Sequence, residues 1–188
     1  QILDFSKYET GNVTLEESAV QLEQLVTEAI DIVDHAANHK GLKLHIDMPV
    51  DASIEFRGDG PRLRQVLVNL LSNAVKFTEK GSVKLIVHLG QLESGQDTLN
   101  VEVVDTGIGI TPAALPNLFD PFVQGDATTT RKFGGTGLGL AISREIILAM
   151  DGEIDVYSYP KSGSKFQFWI PLAGVKREPI PLFDAATG

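Results

Sequence analysis

A chain of 188 residues supports one well-buried core with some appendage, but not two ordinary domains. Its 43% hydrophobic and 22% charged residues are ordinary for a globular protein, and a net charge of −9 argues against the basic face that non-specific nucleic-acid binding needs. Cysteine is absent, which excludes disulfides and thiolate metal sites, and no apolar run approaches the length of a bilayer-spanning helix.

Ile2, Leu3, Phe5 and Tyr8 recur at near-helical spacing and Gly11-Asn12 stops them, so residues 1–10 read as the tail of a helix. A second helix is predicted over 23–39, with Leu25, Val26, Ala29, Ile30, Val33, Ala36 and Ala37 as its apolar stripe and Lys40-Gly41 ending it. Leu42, Leu44 and Ile46 alternate with polar residues as in a half-buried strand, and Ile54 and Phe56 suggest another. Asp59-Gly60-Pro61 opens a third helix, Asp59 as its cap and Pro61 in its first turn. Strands are expected at 83–89 and from Leu99 to Asp105, joined through a polar loop at 93–98. A short helix is expected after Pro112, within a stretch over 111–133 that otherwise reads as a functional loop. A helix at 138–150 and strands at 153–158 and 165–170 complete the pattern, leaving 173–188 as a weakly patterned tail.

Chemistry concentrates in three places. On the third helix Asn69, Asn73 and Lys76 fall within about 60° of one another, with Arg62 and Gln65 on the same stripe. A solvated polar face is the plain explanation. An amide-rich stripe ending in a cation also suits Mg²⁺ and a phosphate. In Asp105-Thr-Gly107-Ile-Gly109 a carboxylate ends an apolar strand and two glycines follow. That is either a common strand-ending turn or an acceptor for an exocyclic amine, with glycines admitting a flat ring. Gly134, Gly135, Gly137 and Gly139 cluster before an apolar helix, with Arg131 and Lys132 just ahead. A hinge would use such glycines, but helix-terminal N–H groups beside two cations favour an anion.

The better-known nucleotide signatures are missing. No Gly-Lys-Ser/Thr triplet follows a glycine loop, and Leu140 stands where the dinucleotide pattern needs its third glycine. The protein-kinase signature set is absent as well. His35 and His39 share a helix face without an obvious third metal ligand, and His45 and His88 sit on predicted strands.

Taken in order, these motifs resemble the catalytic ATP-binding domain of sensor histidine kinases, one branch of the Bergerat-fold ATPases that include gyrase, mismatch-repair proteins and a heat-shock chaperone. Asn69-Leu-Leu-Ser-Asn73-Ala-Val-Lys76-Phe77 is similar to the asparagine box and Asp105 to Gly109 to the first glycine box. Leu118-Phe-Asp-Pro-Phe122 resembles the phenylalanine box, Gly134-Gly-Thr-Gly-Leu-Gly-Leu140 the second glycine box, and Ser162-Gly-Ser-Lys-Phe166 the final hairpin signature. Ile2-Leu-Asp-Phe-Ser-Lys-Tyr-Glu9 looks like the end of the dimerisation helix preceding such a domain. The resemblance implies an α+β fold, a two-layer sandwich whose mixed, mostly antiparallel sheet is covered on one face by helices. It implies division into 1–11, the end of the dimerisation helix, 12–172, the ATP-binding domain, and 173–188, a linker.

The resemblance also implies roles. Asp105 would bind the adenine amine, with Gly107 and Gly109 shaping its pocket and Phe77 near the base. Asn73 would ligate Mg²⁺ with Asn69 beside it, and Lys76 would meet phosphate. Residues 120–137 would form a lid, with Phe122, Arg131 and Lys132 at the nucleotide and Gly135, Thr136, Gly137, Leu138 and Gly139 around the phosphates. ATP-hydrolysing relatives carry a water-activating glutamate where Asn69 stands, and an amide cannot act as a general base. Transfer to a side chain is therefore expected rather than hydrolysis. None of His35, His39, His45 and His88 has the His-Glu/Asp-x-x-x-x-Pro setting of an acceptor, which is expected upstream of Gln1 on a dimerisation domain of the same, homodimeric protein. A response-regulator receiver domain is the expected downstream partner, and the domain is expected in the cytoplasm even if its parent is membrane-anchored. The competing readings are a true ATPase of this fold and a degenerate domain that binds partners without nucleotide.

Overall fold

The computed structural model describes residues 14–48, 53–123 and 136–177. The expectations for the helix over 1–10, for Arg131, Lys132, Gly134 and Gly135, and for residues 178–188 lie outside the described residues.

In chain order the elements are β1 (Ser18–Gln21), α1 (Leu22–His39), β2 (Lys43–Asp47), β3 (Ile54–Gly58), α2 (Gly60–Phe77), β4 (Ser82–Gln91), β5 (Asp97–Asp105), α3 (Gly139–Ala149), β6 (Glu153–Ser158), β7 (Ser164–Pro171) and β8 (Ala173–Arg177). The main sheet has five strands in the order β2-β4-β5-β7-β6. Among the described residues β2 and β4 run parallel, joined through β3 and α2, and the other pairs of this sheet are antiparallel. This is the expected mixed, mostly antiparallel sheet.

The core follows from two periodicities. Every second residue of the central strands is buried, Val83, Leu85 and Val87 on β4 and Leu99, Val101 and Val103 on β5, joined by Phe166, Phe168 and Ile170 on β7. Against that face α2 lays Leu63, Val66, Leu67, Leu70, Leu71, Ala74 and Val75, a stripe at three- and four-residue intervals. Ala141, Ile142, Ile146 and Ile147 of α3 and Leu25, Val26, Ala29 and Val33 of α1 complete the helical layer. Asp59 caps α2 by accepting the Arg62 N–H at 3.0 Å, and its other oxygen accepts the Glu16 N–H at 2.9 Å.

Three differences from the sequence expectation stand out. A second, three-stranded sheet, β1-β3-β8, flanks the helices, and it draws its last strand from the stretch read as tail. The helix expected after Pro112 is only a single 3₁₀ turn, Leu115–Asn117, because Pro116 and Pro121 remove the donors a longer helix would need. The loop expected at 93–98 is shorter, since Asp97 and Thr98 already pair with Gln91 and Gly90.

Candidate nucleotide site

The C-terminal end of α2, the end of β5 and the tip of the β6–β7 hairpin meet around Asp105, and the start of α3 packs on Asn69 in the middle of α2. Asp105 closes β5 and is only 6% exposed. Its Oδ1 accepts the Gly107 N–H at 2.8 Å and the Ser164 N–H at 3.3 Å, and neither bond uses Oδ2. Burial raises the Asp105 pKa, while the two N–H donors pull it back. A fixed carboxylate with one oxygen to spare can accept an amine from a flat base.

Packing dictates the glycines beside it. A Cβ at Gly107 would collide with the Phe77 carbonyl, which accepts the Ile108 N–H at 3.2 Å. That bond ties the end of α2 to the Asp105 loop. Gly109 has φ +69° and lies against the Tyr159 carbonyl, where a Cβ would collide. The hairpin grips this loop from the other side. The Lys161 N–H donates to the Ile108 carbonyl at 2.7 Å, and the Ile110 N–H donates to Ser158 Oγ at 2.8 Å. Ser158 Oγ also lies 2.8 Å from the Gly163 carbonyl, to which it donates, and 2.9 Å from Ser164 Oγ.

On α2 the polar stripe divides. Asn69 Nδ2 donates to Ser143 Oγ on α3 at 2.9 Å, and Gly139 approaches so closely that a Cβ would collide with Asn69 Oδ1. Gln65 and Asn69 line a cleft of about 450 Å³ between α1, α2 and α3, with Ile32, Val68 and Ile142. Among the described residues the Asn73 side chain has no hydrogen-bonding partner and is half-buried. Lys76 Nζ lies 5.0 Å from the centroid of the Phe77 ring, and burial lowers its pKa.

The remaining motif residues meet at the start of α3. The Phe122 N–H donates to the Gly137 carbonyl at 3.0 Å, linking the phenylalanine box to the second glycine box. Phe122 holds φ +61° and is 63% exposed, a strained backbone position for a bulky side chain. Gly137 adopts φ +69° against the Phe122 backbone, Thr136 Oγ1 accepts the Leu138 N–H at 3.4 Å, and Leu138 is fully buried before α3 begins. Two polar residues outside every motif hold these segments together: Ser143 and Ser158. Ser143, a hydroxyl on an otherwise apolar buried face, is the one a sequence could flag.

Comparison with known proteins identifies the family. Residues 58–174 match the family described as histidine kinase-, DNA gyrase B-, and HSP90-like ATPase. The signal transduction histidine-protein kinase BarA of Escherichia coli (strain K12) is 39% identical over 171 residues, 91% of this chain and 19% of BarA. The autoinducer 2 sensor kinase/phosphatase LuxQ of Vibrio parahaemolyticus is 39% identical over 182 residues, 96% of this chain and 21% of LuxQ. This chain thus spans about a fifth of the length of these curated relatives. Among solved structures, full-length ShkA in complex with AMPPNP superposes with a TM-score of 0.79 at 31% identity, covering 95% of this chain and 36% of that one. The chain belongs to the histidine kinase-, DNA gyrase B- and HSP90-like ATPase family, as an ATP-binding catalytic domain of the sensor histidine kinase type.

Proposed function

We propose that this domain holds ATP between Asp105 and the end of α2 and serves, within its parent protein, to pass the γ-phosphoryl group to a histidine other than the four in this chain. The observation that carries the reading is the pairing of a buried, anchored Asp105 with an open Asn73, their segments joined through Phe77 and Ile108. Asp105 Oδ2 accepts the adenine amine, and Gly107 and Gly109 leave room for the ring. Asn73 presents a hard oxygen donor of the kind Mg²⁺ takes, and Asn69 Oδ1 stays outside the bond to Ser143. Mg²⁺ bound there would supply charge neutralisation for the phosphates. Lys76, with Arg131 and Lys132 ahead of the second glycine box, adds positive charge.

Transfer to histidine asks little more of this chain. The imidazole nitrogen attacks through its lone pair, the bond from γ-phosphorus to the bridging oxygen breaks, and ADP leaves with the electron pair. Positioning and charge stabilisation carry such a step. Hydrolysis would require a base for water, and Asn69 is an amide committed to Ser143. The reading extends to a homodimeric parent with a receiver domain downstream, in the cytoplasm.

The test supplies γ-labelled ATP and Mg²⁺ to this domain joined to a dimerisation helix bearing a histidine acceptor. Acid-labile label on that histidine, lost in Asn73→Ala, is the expected result. Steady release of labelled phosphate to water with none on the histidine would replace the proposal with a simple ATPase.

A further inference from the structure

We propose that Lys40, outside every motif, is a positioning residue for the nucleotide site, resting on the ATP-binding reading above. The last carbonyls of a helix have no partners within it, and many helices satisfy them through a glycine beyond the end. Helix α2 has no such glycine. It runs into Thr78, which is extended at φ −105° and ψ 117°. The partner comes from the end of α1 instead. Lys40 Nζ donates to the carbonyls of Val75 at 2.7 Å, Lys76 at 2.8 Å and Thr78 at 3.2 Å. An ammonium group has the three donors this requires, and a cation complements the negative end of the helix dipole.

The fourth carbonyl of this run, that of Phe77, is the one that accepts the Ile108 N–H. The four consecutive carbonyls at 75–78 are therefore divided between Lys40 and the loop that carries Asp105. Lys40 can act as a strut because its own backbone is fixed. Its N–H bonds to Ala36 and Ala37, and the chain turns sharply at Gly41, with φ +67°. Thr78 adds no polar anchor of its own: it is fully buried and its Oγ1 has no hydrogen-bond partner. Without Lys40 the last turn of α2 would open toward water and carry Lys76 out of place. Asp105, seated in the middle of the sheet on β5, would stay. The phosphate end of the site depends on Lys40 more than the base end does, since Asp105 is also held from β5 and by the Ser164 N–H.

That asymmetry provides the test, read by calorimetry on the whole chain with a non-hydrolysable ATP analogue and, separately, adenosine, beside Asp105→Asn. In Lys40→Met we expect affinity for the ATP analogue to fall by about five- to tenfold, with adenosine affinity within about twofold of the parent. A melt that remains cooperative shows that the variant is folded. Unchanged affinity for the analogue, or equal losses on both ligands, would overturn the role of Lys40 while the Asp105→Asn result leaves the nucleotide site standing. Absence of binding by the parent chain itself would overturn both. Should Lys40→Met fail to fold, Lys40→Gln is read by the same ratio, with the same outcomes decisive.

Discussion

Asp105 is asked to do two opposed things. Burial disfavours its charge, and only the charged form accepts the amine without offering a proton of its own. Its folded pKa is raised above its unfolded one, so the folded chain binds a proton more readily than the unfolded chain. The sign follows: this group favours folding most at low pH, and that contribution is lost as pH rises between the unfolded and folded values. Nucleotide affinity runs the other way, present above the raised value and lost as pH falls through it. We expect adenine-nucleotide affinity to begin falling at a pH above the ordinary aspartate range. Asp105→Asn, whose amide oxygen can still accept the Gly107 and Ser164 N–H groups, should melt no lower than the parent at neutral pH while losing nucleotide. Parallel calorimetry and thermal melts across pH check both. A lower melting temperature in Asp105→Asn would show that the charge stabilises the fold.

The elements around the site are joined by contacts that local pattern does not reveal. The glycine boxes are legible in sequence because close approach forbids a side chain: a Cβ would strike Phe77 at Gly107, Tyr159 at Gly109 and Asn69 at Gly139. Ser158 is different. It closes an ordinary alternating strand, and its importance comes from Ile110, far back in the chain. Lys40 and Ser143 likewise owe their roles to residues on other helices. β1 and β8 escape for another reason: each is an edge of the small sheet, β1 buries only Val20 and β8 buries no residue, so neither shows an alternating face. Ser158→Ala leaves the Ile110 N–H without its partner and the Gly163 carbonyl with only the longer bond from the Tyr159 N–H. A loss of about 1–3 kcal/mol is expected in denaturant melts. Gly109→Ala should cost at least as much, because relief of the collision with Tyr159 requires backbone movement. A neutral Ser158→Ala would show that the hairpin does not hold the first glycine box through this hydroxyl.

For the molecule as a whole, the buried face of the sheet and three helices give one core among the described residues. The fold class was readable because α2, β4, β5 and β7 carry clean periodicities. The site was readable as separate motifs, and what the structure adds is their linkage, Phe77 to Ile108, Asn69 to Ser143 and Phe122 to Gly137. The account stands on nucleotide binding at Asp105, so the most direct measurement is a calorimetric titration of the chain with Mg²⁺ and a non-hydrolysable ATP analogue, beside Asp105→Asn. Saturable binding at one site, weakened at least about tenfold in the variant, is the predicted result. No binding by the parent chain, or equal binding by the two, would contradict it.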